Sequence, residues 1–304
     1  MSITIQPVGG LGNQLFIYAT GVALASKLST NLNVDVSHFE TNLNRDFQLD
    51  QFRSRIATVF SSTEPPKKTN GAIRLLRKII GSRLGEYHPA VVKDRGFWFD
   101  PRILDAPDGS KLDGYLQSWK YFHSDAAAIR NEVQDILSPG NWFTSTQESL
   151  AARSPWIGVH VRRGDYVTVE RMGLATDYYY SRSIRLIQDL TGIRDVIVFS
   201  DDIEAARSLP SLNKEQNTIF MESAQESSPL ENLLLLSQAH HLVMANSSFS
   251  WWAAWLRDDE QRRVVYPRPW VDFRYINDRD LPLPHWIGMG RESLEDALQN
   301  HVGY

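Results

Sequence analysis

Residues 1–28, MSITIQPVGGLGNQLFIYATGVALASKL, set the reading of the fold. Ser2 to Val8 alternates isoleucine with polar residues as a strand does, and Gly9 to Gly12 reads as a turn. Gln14 to Leu28 carries apolar residues at helical spacing through Leu15, Tyr18, Val22 and Ala25. Leu32 to Val36 is the next strand, which completes a first βαβ unit. Further along, the β-branched runs Trp156–Val161, Val196–Phe199, Leu242–Ala245 and Val264–Tyr266 alternate with helical stretches near 178–190, 203–209 and 229–240. Strands alternating with helices predict α/β architecture, with parallel sheets covered on both faces. From Val36 to about Phe122 the pattern is irregular. Around Ser138–Pro155 it lapses into Pro, Gly, Ser and Thr, so the boundary between two domains is placed there, giving 1–145 and 146–304.

The bulk numbers agree with two domains. A chain of 304 residues with 42% hydrophobic side chains can bury more than one core. A net charge of −4 gives no overall attraction to nucleic acid, so RNA and DNA are not expected as partners. The absence of cysteine excludes disulfides, thiolate metal sites and a cysteine nucleophile, and fits a reducing cytosol. The first residues carry no signal pattern, and no apolar run approaches the roughly 18 residues of a membrane span. A cytoplasmic protein whose fold starts at its first strand is expected.

Open α/β sheets collect ligands beyond the carboxyl ends of their strands, and four polar clusters are expected there. In the first, Gly9-Gly10-Leu11-Gly12-Asn13-Gln14, glycines let backbone approach a ligand and a helix N-terminus favours an anion; a tight turn with no ligand is the plainer alternative. With Asp35 ending the next strand it is also half of a dinucleotide fingerprint, but Leu15 stands where the third glycine belongs. A nicotinamide oxidoreductase is therefore the second enzymatic reading. In the second, His160-Val161-Arg162-Arg163-Gly164-Asp165-Tyr166, paired arginines suit a diphosphate, because a guanidinium stays charged and grips phosphate oxygens in a fork. Strand alternation sends Arg162 to the face of His160 and Arg163 the other way.

The third cluster, Phe199-Ser200-Asp201-Asp202, offers carboxylates to a guanine edge or a ribose, although one of any such pair is commonly a helix N-cap. The fourth, Ala245-Asn246-Ser247-Ser248-Phe249-Ser250-Trp251-Trp252, is either a second phosphate cradle at a helix start or simple capping by Ser248 or Ser250. Trp251, Trp252 and Trp255 sit at helix spacing and read as core. Asp278-Arg279-Asp280 has the spacing of a metal-binding triplet but follows no clear strand, so it reads as a solvated loop.

GGLGNQLF at 9–16, GYLQSWKYF at 114–122, HVRRGDYV at 160–167, FSDD at 199–202 and ANSSFSWWAAWL at 245–256, in this order and spacing, resemble the α-1,2-fucosyltransferase family. The resemblance implies a GT-B architecture, two Rossmann-like domains with parallel sheets facing a central cleft. It implies transfer of L-fucose from GDP-fucose to the 2-hydroxyl of a terminal galactoside acceptor, with inversion, no cofactor and no metal. The N-terminal domain would carry the acceptor side and the C-terminal domain the GDP-fucose site.

Carried over by motif, Arg162 and Arg163 match arginines on the β-phosphate, and Asp201 and Asp202 the acidic strand end near guanine or ribose. Ser247, Ser248 and Ser250 match the serine-rich phosphate turn. Gly10, Gly12 and Asn13 match the loop that reaches the donor from the N-terminal domain, and His160 lies near the sugar or diphosphate. Glu231-Asn232 departs from the acidic pair that family members often carry. A general base would come from Asp165, His160 or Glu170, with Asp165 fitting better as the holder of the arginines. A non-catalytic carbohydrate- or nucleotide-binding module is the rival outside enzymes.

One segment stands apart. Lys67, Lys68, Arg74, Arg77, Lys78 and Arg83 interleave with Ile73, Leu75, Leu76, Ile79 and Ile80, with no acid among them. Residues 67–83 either pack an apolar face on the N-terminal domain or lie on an anionic membrane surface.

Overall fold

The computed structural model describes residues 2–41, 45–50, 52, 58–61, 90–135, 139–164, 175–213, 217–225, 227–257, 259–271 and 277–291. Asp165, Glu170 and the basic segment 67–83 lie outside the described residues. The chain divides into two compact units, 1–132 and 133–304. The division expected after residue 145, at the Pro-Gly-Ser-Thr stretch, lies instead after residue 132. In the structure the stretch holds a helix of the second unit, Asn141–Ala152, whose Phe143 and Leu150 are buried. The Gly140 N–H just before it donates to Glu231 Oε1 at 3.2 Å.

Among its described residues the first unit forms a five-stranded sheet. Its strands are β1 (Ser2–Ile5), β2 (Asn31–Asp35), β3 (Thr58–Ser61), β4 (Val91–Lys93) and β5 (Lys111–Asp113), in the spatial order β3-β2-β1-β5-β4. Every pairing is parallel. Helix α1 (Leu11–Leu28) crosses from β1 to β2 and is buried along most of its length, as a helix laid on an apolar sheet must be. Its close seat comes from Gly21, where a Cβ would stand 2.8 Å from Ile5 Cγ2 and 2.9 Å from Leu32 Cδ1. Close approach of helix to sheet is thus supplied two turns beyond the position at which a dinucleotide fingerprint has its third glycine. A short helix, α2 (Ser37–Thr41), follows β2, and α3 (Ala126–Asp135) contains the division between the units.

The second unit is a six-stranded parallel sheet. Its strands are β6 (Ile157–Val161), β7 (Val196–Ser200), β8 (Thr218–Phe220), β9 (His241–Val243), β10 (Val264–Arg268) and β11 (Ile287–Gly290). Their spatial order, β11-β10-β9-β6-β7-β8, is the doubly wound 3-2-1-4-5-6 order when read from β8. The chain winds outward from β6 in one direction and returns to start β9 on its other side. Ligands gather outside the carboxyl ends of the two strands that flank such a reversal, here β6 and β9. Among the described residues its helices are α4 (Asn141–Ala152), α5 (Asp177–Thr191), α6 (Ile203–Arg207), α7 (Pro210–Asn213), α8 (Pro229–Ser237) and α9 (Ser248–Leu256). All five residues of β6 are buried, which is why that strand reads as an unbroken apolar run.

Candidate active site

β6 delivers His160 and Arg162 to the reversal point. The His160 side chain is only 3% exposed, and its ring stacks on Phe249 with centroids 5.2 Å apart and planes at 30°. This contact joins the end of β6 to the first turn of α9. Burial, and secondarily the Arg162 charge, pull the imidazole down to about 3, so the ring is neutral at any working pH. Arg162 Nη1 lies 3.1 Å from Asp201 Oδ2. The other oxygen, Oδ1, accepts the Arg163 backbone N–H at 2.9 Å. One carboxylate therefore fixes both the guanidinium and the backbone of the arginine turn. Gly164 makes room for it, since a Cβ there would meet Asp201 Oδ2 at 2.2 Å.

The neighbouring polar residues play local parts. Asp202 caps α6 by accepting the Ala205 N–H at 2.9 Å, and Ser200 Oγ accepts the Asp202 N–H while donating to the Asp202 carbonyl. The helix cap of α9 is Ser247, whose hydroxyl accepts the Phe249 N–H at 3.3 Å. Ser250, buried, donates back to the Ala245 and Ser247 carbonyls. Asn246 is buried, while Ser248 and Phe249 are half-buried at the helix start. The first-turn amides of α9 and the Arg162 guanidinium thus belong to the two strand ends that flank the reversal, a combination suited to a diphosphate.

In the first unit, Gly9 takes φ +75° and Gly10 starts α1 with nothing within 4 Å of where a Cβ would be. Backbone is bare there, as close approach by a ligand requires. Asn13 Oδ1 accepts from Gln117 Nε2 at 2.8 Å. The Leu11 and Gln14 side chains turn into the unit. Leu11 is core, and the fully buried Gln14 donates to the Gly9 and Asp46 carbonyls and accepts the Gln48 N–H at 2.9 Å. Its side chain holds the turn together from behind. Gly12 is buried in the first turn of α1. Asp35 is taken up by Lys111 at 3.2 Å and by the Ser37 N–H at 3.1 Å.

The model of glycosyl transferase family 11 matches residues 104–290. The chain belongs to glycosyl transferase family 11. An alpha-1,2-colitosyltransferase of Escherichia coli is 30% identical, covering 94% of this chain and 99% of the relative. The O-antigen biosynthesis glycosyltransferase WbnK of Escherichia coli is 31% identical over 92% of this chain and 98% of its own. Galactoside alpha-(1,2)-fucosyltransferase 1 of Alouatta belzebul is 27% identical over 95% and 75%. Among solved structures, the fucosyltransferase NodZ from Bradyrhizobium superposes with a TM-score of 0.51 at 14% identity, covering 83% of this chain and 92% of that one. That likeness concerns the fold, which is of the GT-B class.

As a family 11 glycosyltransferase the protein is an enzyme, so the oxidoreductase and non-catalytic readings fall. The fingerprint lacks its third glycine, as Leu15 indicates, and Gly21 seats the helix in its place. Asp278 and Asp280 are not a solvated pair: Asp278 accepts the Trp270 N–H at 2.8 Å and Asp280 is buried. Glu231 forms a capping box with Ser228, and Asn232 bonds to Ser223, Ser227 and the Ser228 carbonyl. Gly164 was not singled out in the sequence, although a glycine directly after paired arginines signals a backbone that something approaches closely. Among the described residues no helix is long and apolar enough to cross a membrane.

Proposed function

We propose that this family 11 enzyme transfers L-fucose from GDP-fucose to the 2-hydroxyl of a terminal β-galactoside, with inversion and without a metal ion. The observation that carries the reading is the Arg162 guanidinium, anchored by Asp201 beside the N-terminus of α9 at the strand reversal. As the C1–O bond to the diphosphate stretches, negative charge grows on the β-phosphate. A preorganised guanidinium and helix-start amides offset that charge without reorganising. The two carboxyl-end loops of the second unit would hold the nucleotide. The relatives named for 1,2-fucosyl and 1,2-colitosyl transfer support the linkage.

The acceptor hydroxyl must lose a proton. His160, neutral and held near 3 by burial, is too weak a base for that task. Its place is to order the arginine turn against Phe249. The proton then falls to Asp165 or Glu170, which Asp165→Asn and Glu170→Gln separate by which of them abolishes kcat. Likeness to an O-antigen enzyme supports a surface-polysaccharide acceptor.

The test offers purified protein GDP-fucose or GDP-colitose with lactose or N-acetyllactosamine, and reads the product linkage and anomer by NMR. An α-1,2-fucosylated galactoside is expected. Transfer from GDP-colitose alone, or to another hydroxyl, would overturn the reading.

A further inference from the structure

The first unit has a reversal point of its own. β1 and β5 pair side by side although the rest of the unit's strands lie between them in the chain. A ligand site is expected outside their carboxyl ends. The glycine loop follows β1, and residues 114–118 follow β5. The Gln117–Asn13 hydrogen bond, 2.8 Å, makes these two loops one surface.

The loop after β5 is held in a conformation that chain connectivity alone does not require. Gly114 takes φ +139° and lies so close to Asp94 that a Cβ would stand 2.4 Å from Asp94 Cβ. Leu116 takes φ +52°, a region that residues with side chains adopt only where their surroundings impose it. Here the Asp94 carboxylate imposes it by accepting the Leu116 N–H at 2.9 Å. The outcome is a sorting of three consecutive side chains. Leu116 enters the core, Gln117 reaches Asn13, and Tyr115 stands outward with 46% of its surface exposed.

The loop after the neighbouring strand β4 adds to the same edge. Gly96, at φ +154°, has the Trp98 ring against its bare Cα, where a Cβ would meet the ring at 2.5 Å. Phe97, Trp98, Phe99 and Trp119 are all half-buried. Lys120 Nζ sits 6.0 Å from both the Phe99 and Trp119 ring centroids, which steadies the cluster. Aromatic faces and an amide pair on loops at one edge of a sheet suit a neutral hexopyranoside, whose C–H face packs on a ring while its hydroxyls meet amide donors and acceptors.

We propose that Tyr115, two residues before Gln117 of the Gln117–Asn13 amide pair on the same loop, is the platform on which the acceptor's terminal galactose stacks. This rests on the galactoside reading above. Steady-state kinetics with lactose and GDP-fucose test it, with saturation-transfer NMR of lactose in the presence of GDP as a second measurement. Tyr115→Ala is expected to raise the lactose KM about tenfold, with the GDP-fucose KM moved less than about twofold. Tyr115→Phe, which keeps the ring, is expected to stay within about twofold of wild type. Leu190→Ala removes a comparably exposed apolar side chain from the other unit and is expected to leave both constants alone.

An unchanged lactose KM in Tyr115→Ala, or an equal loss in Tyr115→Phe, would overturn the platform. If wild type binds lactose by NMR and Tyr115→Ala does not, the platform stands even should no GDP be released, and only the catalytic reading fails. No lactose binding by wild type would overturn the platform directly.

Discussion

Asp201 grips Arg162 across two adjacent strand ends, Oδ2 to Nη1 at 3.1 Å. Register explains the meeting: Val161 on β6 is paired with Ser200 on β7, so the next residue of each strand leaves the sheet beside the other. Arg162→Lys is expected to lower kcat by about 10²–10³, because an ammonium cannot reproduce the fork on a diphosphate. Asp201→Asn is expected to lower it less, by about tenfold, since the arginine survives but is no longer fixed. Stopped GDP-release assays on both variants check the order of the two effects.

Gly164→Ala places a methyl 2.2 Å from the Asp201 carboxylate oxygen. The turn is exposed and carries little of the core, so unfolding in urea is expected to shift by less than about 1 kcal/mol. Activity is expected to fall at least about tenfold as the Arg162–Asp201 contact opens. A variant with full activity would show that the close approach is not needed for turnover.

Buried His160 makes stability fall in acid. Its folded-state pKa is about 3, below the ordinary 6.5, so the unfolded chain binds a proton that the folded chain refuses. Stability is complete above about pH 6.5 and is lost as the pH falls toward 3, by up to about 1.4 kcal/mol per pH unit for one proton. His241, pulled to about 4, and His240 contribute in the same direction. His160→Phe, which keeps a ring against Phe249, is expected to flatten this slope by one proton's share in urea titrations between pH 4 and 7.

Much of this architecture is legible in the sequence, and the reasons are local. β6 and β7 are continuous apolar runs because both faces are covered, and Ser2–Ile5 followed by a glycine turn announces β1 and α1. β4, β5 and β8 are three residues each, VVK, KLD and TIF, too short for any period to register. α4 opens with Asn-Trp-Phe-Thr-Ser after Pro139-Gly140 and so reads as a loop. Of the site, the arginine turn and serine turn stand out by composition. That Asp201 serves Arg162, and that Ser247 and Asp202 are caps, depends on strand register and helix starts, which single motifs do not carry.

Gln14 illustrates the same limit. Standing in a glycine loop it looks like a ligand contact, yet its amide satisfies two carbonyls and one N–H inside the unit. Gln14→Ala strands those buried groups and is expected to cost about 3 kcal/mol in urea unfolding. The KM for GDP-fucose of the folded fraction is expected to stay at the wild-type value. A raised KM with unchanged stability would return Gln14 to the donor site.

In the proposed reaction an anchored arginine, with helix-start amides, offsets the charge of the leaving diphosphate. GDP release from GDP-fucose with lactose as acceptor, measured in excess EDTA, tests it most directly. Turnover equal to that without chelator, and lost in Arg162→Lys, is the result this account predicts. Turnover abolished by EDTA and restored by Mn²⁺ or Mg²⁺ would contradict it.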